Sequence, residues 1–90
     1  MNTKITQIQI IPIKPNDGLV AFANLIFDNS FYFTSIGIRT RPDGRFRLTY
    51  PTRKVLSTNI PIFHPINKEI AQAIEDAIIS KYETIISTEL

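Results

Sequence analysis

The chain has 90 residues, 43% of them hydrophobic and 20% charged, with a formal net charge of +2. That length suits one globular domain, expected to span residues 1–90, and is too short for two. Cysteine is absent and His64 is the sole histidine, which excludes a disulfide scaffold, a cysteine nucleophile and a closed Cys/His zinc site.

Residues 4–13 alternate loosely, with Ile8 and Ile10 on one face, Ile11 and Ile13 on the other, and Pro12 between them. Proline donates no ladder hydrogen bond, so an edge strand or a bulged one is expected. Pro15-Asn16-Asp17-Gly18 reads as a turn with Gly18 at positive φ. Residues 19–27 are almost wholly apolar, the pattern of a strand covered on both faces. Asp28-Asn29-Ser30 turns the chain into a third strand at 31–41, rich in aromatic and β-branched residues. Phe31, Tyr32 and Phe33 have the chemistry to stack on bases. In a strand of such high β-propensity, at least two of them are expected in the core.

Arg41-Pro42-Asp43-Gly44-Arg45 is the clearest turn in the chain. A three-residue loop of Pro42, Asp43 and Gly44 pairs Arg41 with Arg45. The register then sets Thr40 opposite Phe46, Arg39 opposite Arg47, Ile38 opposite Leu48 and Ile36 opposite Tyr50. Side chains alternate along a strand, so Ile36, Ile38, Phe46, Leu48 and Tyr50 share one face. Arg39, Arg41, Arg45 and Arg47 take the other. Like charges directly opposite one another destabilise a hairpin unless an anion offsets them.

Pro51-Thr52-Arg53-Lys54 ends the fourth strand, placed at 45–50. Residues 55–63 are mixed, with Ser57-Thr58-Asn59 as loop and Ile60-Pro61-Ile62-Phe63 as a short extended piece. Asn67 is a good N-cap for a helix at about 68–87. There Ile70, Ala71, Ala73, Ile74, Ala77, Ile78, Tyr82, Ile85 and Ile86 recur at helical spacing. No apolar run approaches the roughly 20 residues of a membrane helix. The first seven residues hold no apolar core for a signal peptide, so a cytoplasmic location is expected, with no membrane partner.

Charge is distributed unevenly. Residues 39–54 carry Arg39, Arg41, Arg45, Arg47, Arg53 and Lys54 against Asp43, a net of +5. Residues 55–90 carry Lys68 and Lys81 against Glu69, Glu75, Asp76, Glu83 and Glu89, a net of −3. A local positive field captures phosphates, and each guanidinium offers a fork of donors matched to phosphate oxygens. Two other readings stay open: the arginine stems cover apolar surface, or the ribbon docks an acidic protein partner. Catalysis has less support. His64 sits at a strand-to-helix junction, where a backbone hydrogen bond is the ordinary role. Glu75 and Asp76 are sequential on a helix and share no face. No phosphate-loop or nucleotide-binding glycine motif exists. No cofactor, metal or small-molecule substrate is indicated.

Three motifs occur in order. They are Ala21-Phe22-Ala23-Asn24-Leu25-Ile26-Phe27-Asp28-Asn29-Ser30-Phe31, then Gly44-x-Phe46 leading to Tyr50-Pro51-Thr52-Arg53-Lys54, then His64-Pro65-Ile66-Asn67. In these, at matching spacing, the chain resembles the stage V sporulation protein G family, the bacterial septation regulators. The Arg39–Arg47 hairpin is more basic than that family's usual equivalent. Residues 55–63 lack its usual Thr-Pro-Asp-Gly and acidic-aromatic-arginine pattern. The resemblance implies an α+β fold: a small antiparallel β-meander of four to five strands with one C-terminal α-helix, assembled as a homodimer. It also implies a regulatory DNA- and RNA-binding role in which the basic pair Arg53 and Lys54 matters. The expected nucleic-acid contacts are therefore Arg39, Arg41, Arg45, Arg47, Arg53 and Lys54.

Overall fold

Strong turn residues break this sequence into short segments, so each strand pairs with the next one along. The computed structural model describes residues 4–88. Strands β1 (Ile5–Asn16), β2 (Leu19–Phe27), β3 (Phe31–Thr40) and β4 (Phe46–Thr49) form one antiparallel sheet in the order β1-β2-β3-β4. Strands β5 (Thr52–Val55) and β6 (Thr58–Pro61) make a separate two-stranded hairpin, and helix α1 (Lys68–Thr88) follows. The α+β meander with its C-terminal helix is as expected. Among the described residues, no helix is long and apolar enough to cross a membrane.

The β1–β2 turn is tighter than expected, because β1 runs to Asn16, which pairs with Leu19. Asp17 (φ 55°) and Gly18 (φ 89°) are both left-handed, as a two-residue hairpin turn requires. β1 is an edge strand, where Pro12 and Pro15 leave no central ladder broken.

Two bulges flank β2 at one level. Register shifts fall between Thr6 and Gln9 on β1, and opposite Asn24 on β3, where Ser35 takes φ 65°. The Asn24 side chain holds both: its Nδ2 donates to Gln9 Oε1 at 3.3 Å, and its Oδ1 accepts from the Ser35 N–H at 3.1 Å. An extra residue reverses the alternation of a strand. Ile5 thereby joins Ile8 and Ile10 against the core, and Phe33 joins Ile36 and Ile38. Asn24→Ala removes two exposed hydrogen bonds, and urea unfolding should show a loss of about 1 kcal/mol.

The core lies between one sheet face and α1. Ala21, Ala23, Leu25, Ile36 and Ile38 meet Ile74, Ile78 and Tyr82, one helix face at four-residue spacing. Phe46 of β4 meets the Tyr82 ring edge-on at 5.0 Å. Asn67 caps the helix as expected, its Oδ1 accepting from the Glu69 and Ile70 N–H groups at 2.8 and 3.1 Å.

Three expectations need correction. Residues 19–27 are covered on one face only within the chain, since the single helix lies on one side and Phe22 and Ile26 face the other. Of the three aromatics, Phe33 alone packs on the core, between Phe27 at 5.8 Å and Phe63 at 4.8 Å. Phe31 stacks on Phe33 but opens the strand beside a turn and stays 56% exposed, and Tyr32 points to the uncovered face, 64% exposed. Thr58 and Asn59 are strand rather than loop, so a two-stranded sheet stands beside the expected four-stranded meander.

Candidate nucleic-acid interface

The loop of Pro42, Asp43 and Gly44 closes as its residues demand. The Gly44 N–H donates to the Arg41 carbonyl at 2.9 Å and the Arg41 N–H to the Arg45 carbonyl at 2.7 Å. Gly44 has φ 87°, and Asp43 Oδ1 accepts from the Arg45 N–H at 2.9 Å. The ladder below pairs Thr40 with Phe46, Arg39 with Arg47 and Ile38 with Leu48, the register the loop length implies. It ends at Gly37 and Thr49, so the expected Ile36–Tyr50 pair lies beyond it.

Ile38, Phe46 and Leu48 pack toward the helix, which leaves Arg39 and Arg47 side by side on the opposite face. Arg39 is half-buried, and its Nη1 donates to the Asp17 carbonyl at 3.0 Å. One guanidinium of the ribbon is thus partly committed to the β1–β2 turn. Arg47 is exposed. At the tip, Arg41 Nε and Arg45 Nε lie 3.9 and 4.0 Å from the same Asp43 Oδ2. One exposed carboxylate shared at that distance offsets little of two positive charges. The Arg45 side chain is 80% exposed.

Arg53 and Lys54 stand apart from this ribbon, on β5. Arg53 pairs with Ile60 and Lys54 with Asn59, so the two project from opposite faces of the second hairpin. The sequence signal that would have placed them was a turn at Leu56-Ser57, which no glycine, proline or asparagine marks. His64 is exposed, with Nδ1 3.2 Å from the Pro65 carbonyl oxygen. Gln72 Nε2 donates to Asp76 Oδ1 at 2.8 Å and to Glu75 Oε2 at 3.4 Å.

Glu75 also acts on Tyr50, which its place in the sequence did not suggest. Burial, and then the Glu75 carboxylate, push the Tyr50 phenol up to about 12 from its ordinary 10. The fold therefore favours the neutral phenol. That contribution is whole below pH 10 and drains away as pH rises from 10 to 12. Denaturant midpoints should fall across this window, and Tyr50→Phe should make the fall shallower.

The motifs at 21–31, 44–54 and 64–67 all lie inside one matched stretch. The SpoVG family model matches residues 3–84. This chain belongs to the SpoVG family. A relative from Caldicellulosiruptor saccharolyticus is 33% identical over 85 residues, covering 93% of this chain and 96% of its own. One from Clostridioides difficile is 32% identical over 89 residues, covering 97% and 96%. One from Archaeoglobus fulgidus is 27% identical over 81 residues, covering 89% and 94%. The names of all three contain the words septation protein SpoVG.

Proposed function

We propose that this SpoVG protein is a non-enzymatic regulator of septation or sporulation that binds DNA, RNA or both. The β3–β4 ribbon is its phosphate-binding surface. Arg39, Arg41, Arg45 and Arg47 supply the contacts, and Arg53 and Lys54 extend the positive field along the second hairpin. The observation that carries this reading is the directly opposed Arg39–Arg47 pair below a tip whose two arginines share one carboxylate. Such stacking of like charge works against the hairpin's own stability. A polyanion gives it a purpose. The names of the relatives support the regulatory setting, and a regulator of nucleic acid works in the cytoplasm.

Retention on heparin, followed by binding to mixed DNA and RNA pools across a salt series, tests the reading. Binding to either pool, weakening steeply with salt, is the expected result. Failure to bind either pool at low salt would overturn it and favour an acidic protein partner for the ribbon.

A further inference from the structure

We propose that the uncovered face of the main sheet is a base-stacking site for single-stranded nucleic acid. Tyr32 takes an unpaired base on its ring, and the amides of Gln7 and Gln9 meet the edge of that base. The inference rests on the phosphate reading, because Arg39 and Arg47 stand on the same face. It adds a ligand class and a second set of contacts.

Strand pairing lays this face out in rows. Leu19, Arg39 and Arg47 form one row, Ile11, Phe22, Gly37 and Thr49 the next, and Thr6, Ile26 and Tyr32 the last. The residues that alternate with them, such as Ala21, Ala23, Ile36 and Ile38, point to the helix. Arg39 and Tyr32 stand seven residues apart on β3, roughly 20–23 Å along the strand. That span accommodates a few nucleotides of an extended chain. One strand of nucleic acid can therefore hold its phosphates on the arginines and reach Tyr32 with a base.

Tyr32 is a ring that the fold leaves unused. Phe31 and Phe33 belong to the stack with Phe27 and Phe63, whereas Tyr32 is 64% exposed and joins no ring pair among the described residues. Every base has a π-face, so an open ring accepts any of them. Beside Tyr32 lies an open hollow of about 380 Å³, lined also by Gln7, Gln9 and Ile26. Ligand pockets begin at about 300 Å³. The bulge that holds Gln7 at φ 51° sets it on this side of β1 with Gln9, while Ile8 between them packs on the core. Gln9 Oε1 accepts from Asn24, which leaves its Nε2 as a donor. The Gln7 amide offers a donor and an acceptor, the complement of a base edge.

Charge decides what covers this face. Its rows hold two arginines and no acidic residue. A second copy laid on it would bury Arg39 and Arg47 without a counter-charge, which is costly. Phosphate supplies that charge, and unpaired bases supply flat apolar surface for Tyr32. A duplex keeps its bases stacked on one another and offers Tyr32 none, so the site is specific for single strands.

Binding to a single-stranded oligothymidine, and to the duplex it forms with oligodeoxyadenosine, tests the proposal. Tyr32→Ala should weaken the single strand by about 10- to 100-fold and leave duplex affinity and both salt slopes unchanged. The ring is exposed, so the melting temperature should match the wild type. Tyr32→Phe should bind as the wild type does, since stacking needs no hydroxyl. The chain has no tryptophan, so Tyr32→Trp places a sole indole on the face. The single strand should quench its emission and the duplex should not. Full-strength single-strand binding by Tyr32→Ala would overturn the proposal; if R45Q/R47Q still lost affinity, the phosphate reading would stand without it. Equal losses on single strand and duplex would also overturn it. So would a halved mass of Tyr32→Ala in light scattering, which would make the face a contact between copies. A wild type that binds neither probe would remove both readings.

Discussion

Replacing Arg45 and Arg47 together with glutamine should weaken binding to every DNA and RNA sequence by a similar factor and flatten its salt dependence. These two are the cleanest probes of the ribbon. Arg47 is exposed, and the Arg45 side chain has only a long contact with Asp43. Arg39 is a poor choice, because its bond to the Asp17 carbonyl mixes a folding effect into the result. Neutralising Z phosphates gives a slope of log K against log[salt] of about −0.9Z for duplex DNA and −0.7Z for single strands. Six basic groups in each subunit of the expected homodimer set a ceiling of roughly twelve neutralised phosphates; with half engaged, the slope should be on the order of −4 to −6. Each phosphate deprived of its arginine should flatten it by about 1. Stability should hold or rise, since Arg47 no longer opposes Arg39. An unchanged slope in the double variant would remove the ribbon as the binding surface.

What could be read from the sequence depended on whether the turns were marked. Gly18, Asp28-Asn29 and Pro42-Asp43-Gly44 adopt positive φ or pre-set it, so β2, β3 and the arginine register were all legible. Pro12 marked the register shift between Pro12 and Asn16, but the two bulges beside Asn24 were not legible, because Gln7 and Ser35 carry no left-handed signature. Asn24, a lone amide in an apolar strand, was their one visible trace. The β5–β6 hairpin was hidden for the same reason. Its turn rests on Leu56, and a leucine at positive φ looks like any other leucine in a sequence. Arg53 and Lys54 therefore read as one basic pair, although the hairpin sends them to opposite faces. The capture of Arg39 by Asp17 was equally out of sight. It depends on β2 pairing Leu19 with Arg39, which joins distant parts of the chain.

The largest effect on stability should come from Ile38→Ala. Ile38 is fully buried, paired with Ala21 on one side and Leu48 on the other. It also precedes Arg39 on the strand that carries the ribbon. Truncating a buried isoleucine to alanine costs about 2–5 kcal/mol, the forfeited transfer energy plus the cavity left behind. A small domain holds roughly 5–15 kcal/mol in all, so thermal melting should shift by many degrees. Ile38→Val removes one methylene and should cost only about 0.5–1.5 kcal/mol. The side chains of Ile38 and Arg39 leave the strand on opposite faces, so the two functions separate. Where Ile38→Ala remains folded, its salt slope should equal that of the wild type. Nucleic acid at 100 times its dissociation constant should restore about 2.7 kcal/mol, because only the folded ribbon binds it. The arginine double variant should show the reverse, keeping its melting temperature and losing that rescue. If Ile38→Ala lost the slope while still folded, the ribbon would depend on core packing rather than on hairpin register.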